Sequence, residues 1–176
     1  VSYKAEEDSL FRAKVEEMNA AIEGTILNTL TGVPLGRLLS LRQDFSSAFN
    51  RLLHSPADTP VKIEVSDKYL PIFLRSQPLQ VTKAVLVIKH APGQSIAGFQ
   101  LALDNTVVSS FVPDPALGNL RSANVAASFA GGMIGVRTLT LKAAGDLAPT
   151  PVPGDVSALD AGKLLDIVLY LEFQAQ

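Results

Sequence analysis

Apolar residues recur at helical spacing over roughly the first third of the chain and at strand spacing after it, with the change of character near residue 56. Phe11, Val15, Met18, Ile22 and Ile26 follow one another at steps of four, three, four and four, which predicts a helix from Glu6 to about Leu30 with one narrow apolar stripe. Glu6, Glu7 and Asp8 suit its positive N-terminal end. Such a stripe is either the seam of a coiled coil or channel, or the face of a helix lying on its own domain or on a neighbour, and so few repeats favour the second. Thr31 to Gly36 contains Gly32 and Pro34 and breaks the helix. Leu38, Leu41, Phe45, Phe49 and Leu52 then predict a second helix running to His54, stopped by Ser55-Pro56.

Beyond Pro56, short alternating or apolar runs are separated by Pro, Gly, Asp and Asn, the punctuation of strands. Val61 to Val65 alternates. Tyr69 to Leu74 carries Pro71 and reads as an edge strand or an ordered loop. Leu79 to Lys89 is the strongest central strand, with an apolar middle, Val85 to Ile88, suited to burial on both faces. Ala97 to Leu103 and Thr106 to Val112 form a predicted hairpin about Asp104-Asn105. Pro113 to Leu120 reads as a loop, and Ala123 to Ala130 with Ile134 to Lys142 as a second hairpin about Gly131-Gly132. After a loop holding Pro149, Pro151 and Pro153, the last fourteen residues, Lys163 to Gln176, read as one long strand. Its alternation sets Leu165, Ile167, Leu169, Leu171 and Phe173 on one face, and so apolar an ending must be claimed by a sheet. The expected fold is therefore mainly β: an antiparallel β-sandwich of about seven to eight strands, a barrel being second choice, preceded by two α-helices. Residues 1–56 form the helical segment and 57–176 the sandwich domain.

Composition narrows the function classes. At 176 residues, 47% of them hydrophobic, the chain is long enough to bury a core without staples. Charged residues make up only 18%, below the usual share of about a quarter, which favours a surface covered by a partner or rich in sheet. Fifteen basic against seventeen acidic residues, with no dense Lys/Arg run, lack the footprint of nucleic-acid binding. Cysteine is absent, which removes disulfides and thiolate chemistry. No apolar run approaches the roughly twenty residues of a membrane span. The opening Val1-Ser2-Tyr3-Lys4 resembles neither a signal peptide nor an initiator Met, so the chain reads as a fragment or a processed piece.

Candidate chemistry is sparse. Pro92 to Gly98 places Ser95 in a glycine-bounded turn, but a nucleophile elbow needs a helix behind it and a His after the Ser, whereas His54 and His90 both precede it. The order His54, Asp67, Ser95 is arithmetically that of a chymotrypsin-like triad and has no supporting motif. The two histidines are too far apart for a helix-spaced metal pair, and His54 suits the C-terminal end of a helix. Glu16 and Glu17 point apart on a helix; Asp104-Asn105 lacks the other ligands of a calcium loop; Gly131 and Gly132 serve a turn. Asp166, near the start of the final strand, reads as a cap or a pair at a sheet rim. No catalytic, cofactor-binding or metal residue is assigned, and no cofactor is implied.

Four segments in order carry a resemblance. Asp166-Ile167-Val168-Leu169-Tyr170-Leu171-Glu172-Phe173-Gln174-Ala175 resembles the closing strand of the A components of bacterial Tc toxin complexes. Pro34 with Leu38-Leu39-Ser40-Leu41-Arg42 resembles the stretch that precedes that family's terminal β-domain, and Val81 to Ile88 its Arg-Ile-Lys-x-Val strand. Phe129-Ala130-Gly131 with Thr138-Leu139-Thr140-Leu141 is similar to its late turn and strand. Tyr170 stands where the family usually has His, and Ala130 where it has Glu. The resemblance implies a secreted or extracellular, non-enzymatic domain at the C-terminus of a large pentameric toxin component. It implies a protein partner, the B component, and homo-oligomer formation through the parent protein. A carbohydrate-binding jelly-roll module is the alternative, weakened by the lack of Trp and by only three scattered Tyr.

Overall fold

Strand pairing in this chain is nested, first with last and inward from there. The computed structural model describes residues 3–175, without the side chains of residues 3–11, 23, 27, 28 and 30. In order come α1 (Tyr3–Leu30), β1 (Leu35–Ser40), α2 (Leu41–Asp44), α3 (Ser46–His54), β2 (Pro60–Val65), β3 (Leu79–His90), β4 (Gln100–Leu103), β5 (Thr106–Val108), β6 (Val112–Asp114), β7 (Leu120–Asn124), β8 (Gly135–Ala143) and β9 (Leu164–Ala175). β1 pairs with β9, β2 with β8, β3 with β7 and β4 with β5, all antiparallel. Rolling up this long hairpin brings β9 against β3 and β8 against β4, which yields a five-stranded sheet, β1-β9-β3-β7-β6, and a four-stranded sheet, β2-β8-β4-β5. With β6 as an added edge strand, this is the connectivity of a jelly roll. The expected antiparallel β-sandwich is the observed fold.

Alternation decides which side chains fill the space between the sheets. Ile167, Leu169, Leu171 and Phe173 of β9 meet Ala84, Leu86 and Ile88 of β3 across the inner face of one sheet, opposite Val61, Ile63, Leu101, Leu103, Leu139 and Leu141 of the other. Leu165, placed on the same face by simple alternation, is only half-buried, because the ladder between β3 and β9 shifts register at His90. Phe49, Leu52 and Leu53 of α3 join this core. The middle of β3, Val85 to Ile88, is buried on both faces, as its unbroken apolar run requires. Each such side chain contributes about 1.5–3 kcal/mol relative to exposure.

Three expectations are corrected. Residues 35–40, expected as the start of the second helix, form β1, so the sandwich takes up part of segment 1–56. The true helical spacing begins at Leu41. Leu38 fits that spacing by coincidence and is exposed, whereas Leu39 is fully buried opposite Leu169. Ser40 marks the junction: its Oγ accepts the Gln43 N–H as the N-cap of α2. The segment around Gly131-Gly132 is not a hairpin, because β7 belongs to one sheet and β8 to the other. Asn124 Oδ1 accepts from Ala126 N at 2.8 Å and ends β7 in an Asx turn; a 3-10 turn at Ala126–Phe129 then buries Phe129 on the way across. Pro113 to Leu120, expected as a loop, contains the short edge strand β6.

The Asp104-Asn105 hairpin forms as expected, with Asp104 at φ 51°. The Tyr69 to Leu74 stretch is an ordered loop of two 3-10 turns. α1 forms over its expected span, but its stripe is not covered by the domain: Val15, Met18 and Ile22 are exposed. Phe11, the first member, has its side chain outside the described residues. α1 is tethered at its C-terminal end, where Gly32 N donates to Ala175 O at 3.3 Å. No helix among the described residues is long and apolar enough to cross a membrane.

Candidate functional site

The residues singled out for chemistry are dispersed. His54, at the end of α3, lies with Nδ1 3.4 Å from Ser157 Oγ, and Asp155 Oδ1 accepts the Ser157 N–H at 2.8 Å. This brings a His, a Ser and an Asp together in the wrong order, since a triad needs the carboxylate on the imidazole and here it grips the serine backbone. That backbone bond, followed by the Ser157 hydroxyl, lowers the pKa of Asp155. Asp67 sits in the 3-10 turn after β2. Ser95 lies in the loop between β3 and β4, where its Oγ accepts from Ala97 N at 3.1 Å. Asp104 accepts the Thr138 N–H and lies 3.8 Å from Arg137; Glu17 pairs with Lys14 on the surface of α1. Among the described residues no group of three or more His, Asp or Glu gathers to hold a metal.

Asp166 is a structural anchor at the rim of the sheet. Its Oδ2 accepts from Ser40 Oγ at 2.6 Å, and its Oδ1 accepts from Arg42 N at 3.0 Å and from Ile167 N at 2.8 Å. One carboxylate thereby fastens the β1–α2 junction to β9.

Two surfaces stand out instead. On the outer face of the five-stranded sheet, the register aligns Leu38, Tyr170 and Val85 in one row and Ser40, Val168, Val87, Ser122 and Val112 in the next. Val85 and Val87 are hidden between their neighbours, while Leu38 and Val112 at the two ends are each 58% exposed. Leu120, one row further, is also exposed. The result is a largely apolar band, interrupted by Ser40, Ser122 and Asn124, across a sheet face that faces away from the core. Gly36 keeps one edge of it flat: a Cβ there would come within 3.0 Å of the Tyr170 hydroxyl. Partial burial, then the charge of Glu172 and the hydrogen bond donated to it, raise the pKa of the Tyr170 phenol.

The second surface is the open mouth of the sandwich, a cleft of about 540 Å³ between the β3–β4 loop and the β5–β6 segment, lined by polar and glycine residues together with Ile96, Ala97 and buried Phe111. It brings together His90 and Ser95, which sequence reasoning considered separately, with Arg121 and Ser110, which it did not consider. Arg121 escaped notice because β7 was expected to begin at Ala123; starting it at Leu120 puts Arg121 beside Ile88, on the inward alternation. Loop 91–99 is held in place by Gln94 Nε2 donating to Asp146 O and by Asp146 N donating to Ala97 O. Gly145 permits that contact, since a Cβ there would lie 2.1 Å from Ala97 O. Compared with known proteins, the sequence matches no family model and no curated protein.

Proposed function

We propose that this chain is a non-enzymatic protein-docking module whose binding surface is the outer face of its five-stranded sheet. The observation that supports this most is the apolar band that ends in exposed Leu38 and Val112, a flat face of the kind that protein partners cover. The exposed stripe of α1, Val15, Met18 and Ile22, adds a second apolar seam suited to association of neighbouring copies around an axis. Four ordered segments of Tc-toxin character suggest the setting: the C-terminal domain of a toxin A component that docks a B-type component for translocation. Low surface charge fits such a covered surface.

The test is isothermal calorimetry of the parent protein against the B-type protein encoded beside it. Leu38→Asp and Val112→Asp, both at exposed positions, should weaken binding at least about tenfold while leaving the melting temperature nearly unchanged. Unchanged affinity in both variants would refute the sheet face as the surface. The jelly-roll connectivity favours one second reading, a carbohydrate-binding module; a glycan array hit abolished by changes at the mouth of the sandwich, with no protein partner detected, would replace the first reading.

A further inference from the structure

We propose that the mouth of the sandwich binds a small oxyanion, gripped by Arg121 with His90 beside it. The mouth is distinct from the docking surface on the outer face of the sheet, although the adjoining cleft reaches Leu120 at the rim of that face. Inward positions of a sandwich strand are normally apolar, as Ile88 and Ala123 are here. Arg121 falls on the inward alternation between Ile88 of β3 and Pro113 of β6, but at the end of the sandwich where the two sheets part, so its side chain is open to solvent.

Charge at this end is one-sided. A second cleft of about 430 Å³ adjoins the first, shares His90 and Arg121 with it, and adds Lys89 and Asn119. Neither cleft is lined by any Asp or Glu, in a chain whose acids outnumber its bases by seventeen to fifteen. Asp166, opposite Lys89 in the ladder, turns its carboxylate to Ser40 and to the Arg42 backbone instead.

Arg137 is held differently, although its Nε is buried without a hydrogen-bond partner. Arg137 bonds the Gly132 carbonyl at 2.6 Å, lies 3.8 Å from Asp104 and stacks 4.6 Å from the Phe129 ring centroid. Arg121 shares only the carbonyl contact, with neither a carboxylate nor a ring beside it among the described residues. Its Nη1 donates to Phe111 O at 3.3 Å, which orients the guanidinium, and no described carboxylate lies within 4 Å of it. Its remaining N–H groups form the planar fork that matches a carboxylate, sulfate or phosphate. His90 Nδ1 lies 3.0 Å from Ala91 O, which anchors the ring where the two clefts meet. Ser95 and Ser110 line the same space. The loop that carries Ser95 is already fixed through Gln94, Asp146 and Gly145, so little ordering remains to oppose binding.

The experiment is a heteronuclear NMR titration of the whole chain with sodium phosphate, sulfate, acetate and glucuronate in turn, at ionic strength held constant with chloride. Saturable shifts of the Arg121 Nε–H and of the Ser95 to Gly98 amides, with a dissociation constant below about 10 mM, are expected for at least one anion. Arg121→Gln should weaken that binding at least about tenfold, His90→Gln by less, and Lys142→Gln, a lysine paired with Asp58, not at all. A preference for glucuronate over acetate assigns the site to sugar acids, and a preference for phosphate or sulfate assigns it to their monoesters. Shifts that grow linearly without saturation, or that persist in a folded Arg121→Gln variant, overturn the proposal. If Arg121→Gln does not fold, undiminished binding in both Arg121→Lys and His90→Gln overturns it.

Discussion

Replacing Phe173 by Ala tests the placement of β9 most directly. Phe173 is 2% exposed, faces the core, and stands in register between Leu35 of β1 and Val81 of β3. Its neighbour Gln174 points to the other face and is only half-buried. Emptying a Phe site in a packed core costs about 3–5 kcal/mol, from lost transfer energy plus the cavity left behind. Against a total stability of about 5–15 kcal/mol, that is a large share. At about 2–4 °C per kcal/mol for a chain of this size, the melting temperature should fall by roughly 6–20 °C. Gln174→Ala should change stability by about 0.5 kcal/mol or less. Urea unfolding followed by far-ultraviolet circular dichroism measures both, and an unchanged slope against denaturant would show that the unfolded reference is the same. Equal costs for the two variants would refute the register, because a slip of one residue exchanges the faces of the whole strand.

Three further outcomes are expected. Gly145→Ala should destabilise by about 3 kcal/mol, since residue 145 is left-handed at φ 54° and the added Cβ meets the Ala97 carbonyl; a melting temperature within about 1 °C of the parent would show that loop 91–99 is not clamped there. Asp166→Ala, which removes the acceptor for Ser40, Arg42 and Ile167, should cost about 2 kcal/mol in equilibrium denaturation, and Asp166→Asn clearly less because it keeps one acceptor oxygen. The raised pKa of Tyr170 means that the folded chain keeps its phenolic proton after the unfolded chain has released its own. Stability should therefore be level below the ordinary value of 10.0 and decline as pH rises from there through the folded value; a decline equally steep in Tyr170→Phe would exclude Tyr170 as its source.

Much of the fold was legible because strand alternation is a local property. The inner face of β9 from Ile167 to Phe173, the doubly buried middle of β3 and the Asp104-Asn105 hairpin follow from a few consecutive residues each, and the structure holds them where the pattern puts them; Leu165 is the exception. Asp166 was legible as a rim carboxylate, though not its partners Ser40 and Arg42, which lie more than a hundred residues away in the chain. Two local signals misled. Leu38 completes a helical spacing that begins only at Leu41, and Gly131-Gly132 looks like a hairpin turn although its flanking strands part to different sheets.

The sequence by itself determined which residues must be buried, because the free energy of removing an apolar side chain from water depends on that side chain and its immediate alternation. Only the tertiary structure decided which strands share a sheet. Pairing β1 with β9 joins the ends of the sandwich, a choice governed by burial and hydrogen bonding across the whole domain and invisible to any short window. The same rolling brings His90, Ser95 and Arg121 to one opening and draws Leu38 and Val112 into one band. Both candidate surfaces are consequences of topology, which is why their residues carry no motif.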